Sequence, residues 1–187
     1  MRGPTHLAWA WLAAHRGRTA LVVLCVALTL LLPLAVGSFV DDYARELTSR
    51  IKADFEYHPG ATDISTPLHE VFEGKAGVCQ DFAHIEIAAL RSHGLAARYV
   101  SGYIRTVHSK EESALRGGDA SHAWVAVWCG EAAGWVQLDP TNDLVASQDH
   151  VAVAWGRDFG DVSPLRGVIL GGDQHTYGVD VTLVPAD

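Results

Sequence analysis

The chain has 187 residues, enough for one full-sized domain with its own core and a short appendage, but not for two independent domains of ordinary size. It carries 22 acidic and 14 basic residues, and three of the basic ones lie within residues 1–40, so the remainder has 11 basic residues against all 22 acidic ones. This acidic balance excludes the basic surface of a nucleic-acid-binding protein, and no nucleic-acid partner is expected.

The first forty residues differ from the rest. Residues 19–40 read TALVVLCVALTLLLPLAVGSFV and contain no acidic or basic side chain. About 20 such residues are needed for a helix to cross a bilayer. Two arginines precede this run and two aspartates follow it, so the positive-inside rule places the N-terminus in the cytoplasm. We therefore predict a cytoplasmic lead-in and transmembrane segment over residues 1–40 and an extracytoplasmic catalytic domain over residues 41–187.

Three other interpretations compete for this segment. A cleaved signal peptide ranks second, because its apolar centre would be shorter and residues 35–37, Ala-Val-Gly, make a mediocre cleavage site. A buried core helix, which would leave the protein in the cytoplasm, ranks third because the run has no polar face. The stretch AWLAAHRGRTALVVLCVAL also resembles the opening of ABC-transporter permease subunits, so the chain is alternatively a fusion product with a permease-like start.

Beyond the apolar run, apolar side chains recur at a four-residue step, at Tyr43, Leu47, Ile51 and Phe55. This spacing predicts a separate amphipathic helix, with an N-cap at Asp41 or Asp42 and an end at residues 58–60, His-Pro-Gly. A short helix is expected next, with Thr66 as its N-cap and Pro67 in its first position.

The segment over residues 77–94, GVCQDFAHIEIAALRSHG, predicts a central helix. Its apolar side chains form a broad stripe, which is typical of a helix packed in a core. Gly94 supplies a C-cap, and Cys79 lies in the first turn.

The periodicity then becomes alternating, which predicts strands in the runs ARYVSGYI, HAWVAVWC and GWVQLDP, over residues 97–104, 122–129 and 134–140. Trp124, Trp128 and Trp135 are expected in the core of the sheet. Residues 105–121, between the first two strands, are expected to form an exposed loop. Helices followed by strands indicate an α+β fold.

Cys79 is the candidate nucleophile. A thiol becomes a good nucleophile when it is held as the thiolate, which the N-terminus of a helix favours through its unpaired N–H groups and its dipole. His122, at the start of one strand, is a candidate base, and Asp139, near the end of the next strand, is a candidate partner for its ring. Neighbouring strands lie about 5 Å apart, so His122 and Asp139 can touch if these strands pair.

Neither a disulfide framework nor a metal site is expected. The cysteines are few and far apart, and Cys129 is interpreted as a small buried apolar side chain. His84 and His93 share the helix of Cys79 but do not share a face with it, and no metal-binding motif occurs, so they are interpreted as core or solvated histidines. No cofactor is predicted.

Three stretches, GVCQDFAHIEIAALRSHGLAARYVSGYI, DASHAWVAVW and GWVQLDPTND, closely resemble the signature blocks of bacterial transglutaminase-like proteins, a superfamily with a papain-like core. The similarity continues through HVAVAWGRDFGDVSPLRGVILG to C-terminal strands. It implies a catalytic cysteine at the N-terminus of a central helix packed on an antiparallel sheet. It further implies Cys79 as nucleophile, His122 as general base and acid, and Asp139 as the residue that orients the histidine. In this pattern Gln80 and Trp124 adjoin the site as substrate-binding or oxyanion residues, and the Cys79 backbone N–H is an oxyanion donor.

The implied function is a thiol enzyme that acts on amide bonds of peptides or proteins through an acyl-thioester on Cys79. Water as the second substrate would make it a protease or amidase, whereas an amine would make it a transglutaminase. The alternative is a non-catalytic binding or scaffold module that retains the fold.

Overall fold

The computed structural model of the protein describes residues 14–105, 121–163, 167 and 183. Parts of three predictions lie outside these residues: the cytoplasmic lead-in over residues 1–13, most of the loop over residues 105–121, and the C-terminal strands.

Helix α1 spans Arg16–Asp54 without a break. It is long and apolar enough to cross a membrane: its most apolar 18-residue window has a mean hydropathy of 2.7 and is only 6% buried, although a signal sequence near an N-terminus meets the same criterion. The predicted N-cap at Asp41 or Asp42 is wrong, because both residues lie inside this helix. Asp41 accepts a hydrogen bond from Nε of Arg45 at 2.9 Å, an i, i+4 pair that supports a continuing helix.

The second half of α1 belongs to the folded domain. One face of it is buried, at Gly37, Val40, Ala44, Thr48 and Ile51. The spacing of three or four residues places these side chains on one stripe, and their burial explains why the helix continues past the aspartates. The apolar part of the helix that precedes this stripe is exposed.

A small two-stranded element leads to the central helix. Strands β1, Glu56–Tyr57, and β2, Ala76–Gly77, pair in parallel around helix α2, Leu68–Gly74. Thr66 is not the N-cap of α2; Pro67 holds that position, one residue later than predicted. Helix α3 then spans Cys79–Ser92, within two residues of the predicted bounds.

The main sheet has five antiparallel strands in the order β6-β5-β4-β3-β7. Their bounds are β3 Ala97–Ile104, β4 His122–Trp128, β5 Trp135–Asp139, β6 Leu144–Val145 and β7 His150–Gly156. Two one-turn helices complete the described elements, α4 at Gly130–Ala133 and α5 at Phe159–Val162. Helix α3 packs against this antiparallel sheet, which confirms the predicted α+β class.

The two faces of the sheet differ in burial. Side chains on one face join α1 and α3 in the main core, at Tyr99, Ala123, Val125, Val127 and Leu138. On the other face Trp124 is 0% exposed, but Trp128 is 39% and Trp135 38% exposed. The prediction of a core position is therefore wrong for Trp128 and Trp135, because no described element covers their end of that face. Cys129 is buried, as expected.

Candidate active site

The start of α3 is fixed by a buried carboxylate. Asp81, the third residue of the helix, accepts the backbone N–H of the N-cap residue Val78 at 2.8 Å and the hydroxyl of Thr62 at 2.6 Å. A Cβ atom at Gly77 would come within 2.7 Å of the same carboxylate oxygen, so the close approach of this turn requires glycine. The turn places Cys79 at the first helical position, where its N–H has no partner within the helix.

His122 is the first residue of β4 and is buried. Its Nε2 lies 2.8 Å from Oδ2 of Asp139, whereas its Nδ1 has no hydrogen-bond partner of strict geometry among the described residues. Burial alone would lower the pKa of His122, but the hydrogen bond to Asp139 and the interaction with the Cys79 thiol raise that pKa to about 9. Because Asp139 occupies Nε2, the nitrogen that remains for Cys79 is Nδ1.

Asp139 ends β5 and is buried. Its Oδ1 accepts the backbone N–H groups of Thr141 at 2.9 Å and Asn142 at 3.3 Å. Its Oδ2 accepts from His122, from Nδ2 of Asn142 at 2.7 Å and from His150 at 3.2 Å. Burial by itself would raise the pKa of Asp139, but the hydrogen bonds from both histidines outweigh it and hold that pKa well below its usual range. The carboxylate is therefore ionised at neutral pH.

His150 is a site residue that the sequence did not single out. It begins β7, opposite Ile104 of β3, and its side chain is almost fully buried. Its Nδ1 accepts the backbone N–H of Ser147 at 3.4 Å, so the proton is on Nε2 and points to Asp139. Only its position at the start of a strand with an alternating pattern indicated a role. Its contact with Asp139 requires the sheet to curve, and the local periodicity of the sequence does not encode that curvature.

Trp124 packs beside the two histidines. Its ring stacks on His122 with centroids 5.9 Å apart and meets His150 edge-on at 5.3 Å, and its Nε1 donates to Oε1 of Gln137 at 2.7 Å. A Cβ atom at Gly102 would come within 2.6 Å of this indole, so glycine leaves room for it. A substrate-binding or oxyanion role for Trp124 stays a prediction, and the residue itself has no exposed surface. It holds the imidazole rings in place.

Gln80 follows Cys79 at the start of α3 and is half-buried. Its side chain has no hydrogen-bond partner among the described residues. Its backbone N–H, like that of Cys79, belongs to the first turn of the helix and lacks an intrahelical acceptor. A role for Gln80 and for the Cys79 N–H near a developing oxyanion stays a prediction.

The cluster also has the composition of a metal site. One ligand atom each from His122, Asp139 and His150 lies within 4.8 Å of the others. The hydrogen bonds already described account for this grouping, and an ion here would take the Nε2 atoms of both histidines away from Asp139. His84, by contrast, accepts the backbone N–H of Phe159 at 3.3 Å, in keeping with a core histidine.

A third buried acid, besides Asp81 and Asp139, lies behind the site. Glu86 of α3 is 0% exposed, and its Oε1 lies 2.9 Å from Oγ1 of Thr48, which also lies 3.0 Å from the carbonyl oxygen of Ala44. One hydroxyl proton cannot serve both acceptors, whereas a protonated Glu86 donating to Thr48 satisfies both contacts. Burial is the main cause that raises the pKa of Glu86 to about 8; the Thr48 hydrogen bond opposes it and the charge of Asp139 adds to it.

The half-buried Cys79 at a helix start, with the buried His122 and Asp139 on adjacent antiparallel strands, is an arrangement typical of a papain-like thiol-enzyme site. The family model of the transglutaminase-like superfamily matches residues 37–140, more than half of the chain. The chain belongs to the transglutaminase-like superfamily, a family of thiol enzymes.

Uncharacterized mycobacterial proteins are similar in sequence to this chain. An uncharacterized protein of Mycobacterium tuberculosis (strain ATCC 25618 / H37Rv) is 47% identical over 145 residues, which cover 75% of this chain and 46% of that protein. An uncharacterized protein of Mycobacterium leprae is 38% identical over 122 residues, 64% of this chain and 42% of its own length. The chain thus spans less than half the length of these relatives.

One solved structure is similar at the level of sequence as well as fold. It is the crystal structure of a "Putative Cysteine Protease" from Cytophaga hutchinsonii, 32% identical, with a TM-score of 0.53. The match covers 64% of this chain and 37% of that one.

Proposed function

We propose that the protein is a thiol enzyme that opens amide bonds of peptides or proteins through an acyl-thioester on Cys79. The observation that carries the proposal is the position of His122 between the Cys79 thiol and the ionised Asp139, with a pKa of about 9. A histidine with this pKa holds a proton at neutral pH, and that proton is what an amide leaving group needs.

Each step follows from these groups. The Cys79 sulfur bonds to the substrate carbonyl carbon, and the negative oxygen that forms is stabilised by N–H groups at the start of α3. The carbon–nitrogen bond then breaks while His122 gives its proton to the departing amine. Water or a second amine next attacks the thioester, loses a proton to His122, and releases the Cys79 thiolate.

The test uses the full chain with glutamine-containing and plain peptides, with and without an added primary amine, and product masses as the readout. A free acid identifies a protease or amidase, and an amine adduct identifies a transglutaminase. Cys79→Ala is expected to abolish either product, while Cys129→Ala, at a buried cysteine outside the site, retains activity. Equal traces from wild type and Cys79→Ala would instead support the binding or scaffold module.

For location, we propose that α1 anchors the protein in a membrane as a single pass, with the domain outside the cytoplasm. The length and hydropathy of α1 support the anchor. Extraction of membranes with alkaline carbonate tests it: an anchored chain stays in the pellet, and a chain that washes into the supernatant refutes the anchor.

A further inference from the structure

Helix α1 meets the domain first at the turn between β4 and β5. A Cβ atom at Gly37 would overlap the carbonyl oxygen of Cys129, and one at Gly130 would lie 3.8 Å from the carbonyl oxygen of Pro33. The apolar half of α1 therefore ends directly against α4, at the sheet end where β4 finishes and β5 starts.

The C-terminal end of α1 contacts the opposite end of the sheet. Nζ of Lys52 donates to the carbonyl oxygen of Thr141 at 2.7 Å, and the hydroxyl of Ser49 donates to Asp143 at 2.7 Å. From Gly37 to Lys52 a helix rises roughly 22 Å, at about 1.5 Å per residue. Thr141 follows Asp139, so the site lies at the end of the sheet far from the apolar helix.

The near end of the sheet carries a row of side chains, called here the tryptophan–arginine row, in which three tryptophans are exposed and the arginine is partly buried: Trp128, Trp135, Trp155 and Arg98. Trp128 and Trp135 meet at 5.7 Å between centroids. The guanidinium of Arg98 lies 4.1 Å from the Trp135 ring and 4.8 Å from the Trp155 ring. Trp155 is 59% exposed, more than either other tryptophan of the row.

We propose that this row rests in the headgroup layer of the bilayer that α1 enters. Trp and Arg combine an apolar body with a polar tip, which suits a membrane–water interface. The contacts of Gly37 and Gly130 place the row at the level where the apolar part of α1 ends. The proposal rests on the proposed anchor, because without insertion of α1 no bilayer lies beside this end of the sheet.

The orientation has a consequence for substrate. With α1 along the membrane normal, Cys79, His122 and Asp139 face away from the lipid, roughly 20 Å above it by the helix rise. The acyl donors would then be segments of peptides or proteins that stand clear of the bilayer, not segments embedded in it.

The experiment uses the full chain in phosphatidylcholine vesicles, with and without lipids brominated near the headgroup end of their acyl chains, which quench nearby tryptophans. We expect Trp128→Phe/Trp135→Phe to lower the quenched fraction of emission, because it removes quenched residues. Trp124→Phe, which removes a buried tryptophan of the far end, should raise that fraction.

An increase with the double variant as well would overturn the proposal, since the row would then be out of reach of lipid, whether in water or covered by a partner protein or a second copy. Trp155→Phe, at a surface position that the core does not need, should also lower the quenched fraction, by less than the double variant, and replaces that variant if it does not fold. Carbonate extraction separates the two failures: a chain that washes off refutes the anchor, whereas one that stays anchored with an unquenched row refutes only this orientation.

Discussion

Nε2 of His150 donates to Oδ2 of Asp139 at 3.2 Å, and this is the same oxygen that His122 contacts at 2.8 Å. Two imidazoles thus share one carboxylate oxygen, but only His122 also interacts with the Cys79 thiol. His150 is accordingly a positioning residue in the proposed reaction and not a proton carrier.

Replacing His150 tests that role. In His150→Phe the negative charge of Asp139 is shared with one donor fewer, so we expect a stronger interaction with His122 and a higher pKa of His122. The alkaline limb of the pH–activity profile should move up, and kcat should fall about tenfold as one unit of acidity is lost. His150→Gln, which keeps a donor, should restore the limb. A lower melting temperature with an unmoved limb would mean that His150 only fills space.

Asp139→Asn is expected to move the same limb the other way. The hydrogen bond and the charge of Asp139 both raise the pKa of His122 against burial, so an amide should let that pKa fall towards and below its ordinary value. The alkaline limb should drop by about one unit or more, with the fold retained because Oδ1 of the amide still accepts the backbone N–H groups of Thr141 and Asn142. The measurement is the pH profile of peptide turnover; an unchanged limb would show that Asp139 does not govern His122.

Alkylation should distinguish the described cysteines of the domain. At pH 6 iodoacetamide is expected to modify Cys79, which is half-buried beside a protonated histidine, and to spare the buried Cys129. Peptide mass mapping of the full chain after timed exposure gives both rates, with Cys129→Ala as the matched control. His122→Ala should slow the reaction at pH 6 by about tenfold or more, since Cys79 loses the neighbouring positive charge. Equal rates with and without His122 would contradict the pairing.

Glu86 predicts an unusual dependence of stability on pH. The folded-state pKa of about 8 is above the ordinary value of 4.5, so the folded chain binds more protons than the unfolded chain between these values. Stability from this group is present below the unfolded value and is lost as the pH rises to about 8.

Glu86→Gln keeps the shape and can donate to Thr48, but has no charge to bury. We expect it to stabilise the domain by on the order of a few kcal/mol at pH 8 and by much less at pH 5. Denaturant midpoints at both pH values measure this, with the exposed Glu73→Gln as control. A gain that is the same at both pH values would show that Glu86 does not change its protonation.

Gly37→Ala tests how closely α1 packs against the domain. Alanine favours a helix by about 1 kcal/mol over glycine. The added Cβ, however, would overlap the carbonyl oxygen of Cys129, and forced overpacking costs about 1–3 kcal/mol. Because the overlapping atom belongs to the backbone and cannot easily move, we expect the cost of overlap to exceed the gain in helix propensity, and the denaturant midpoint to fall. Gly17→Ala, with open space around it, should not lower the midpoint. A more stable Gly37→Ala variant would mean that α1 does not pack closely there.

The elements with strong local patterns were predictable from the sequence. The broad apolar stripe gave α3 to within two residues, and alternation gave β3, β4 and β5. The contact between His122 and Asp139 followed from pairing of neighbouring strands. Their catalytic roles, like that of Cys79, stay predictions until the activity is measured.

Features set by distant contacts were not predictable. The cap expected at Asp41 or Asp42 is wrong because the buried stripe on both sides of these residues, which packs against strands about a hundred residues away, extends α1 through them. Trp128 and Trp135 are of a residue type expected in a core, but the exposure of their side chains depends on which elements cover the sheet. His150 and Glu86 escaped notice because curvature of the sheet and packing between helices, neither encoded locally, create their environments.

The continuity of α1 also orders events during synthesis. Ala44 leaves the ribosome well before Leu138, with which it shares the main core, and at about 5–20 residues per second the interval is roughly 5–20 s. Until β4 and β5 have been synthesised, the buried stripe of the helix lacks the strands that cover it. A helix that has already entered a bilayer would hold a fixed position, and the strands synthesised later would pack onto it from one side only.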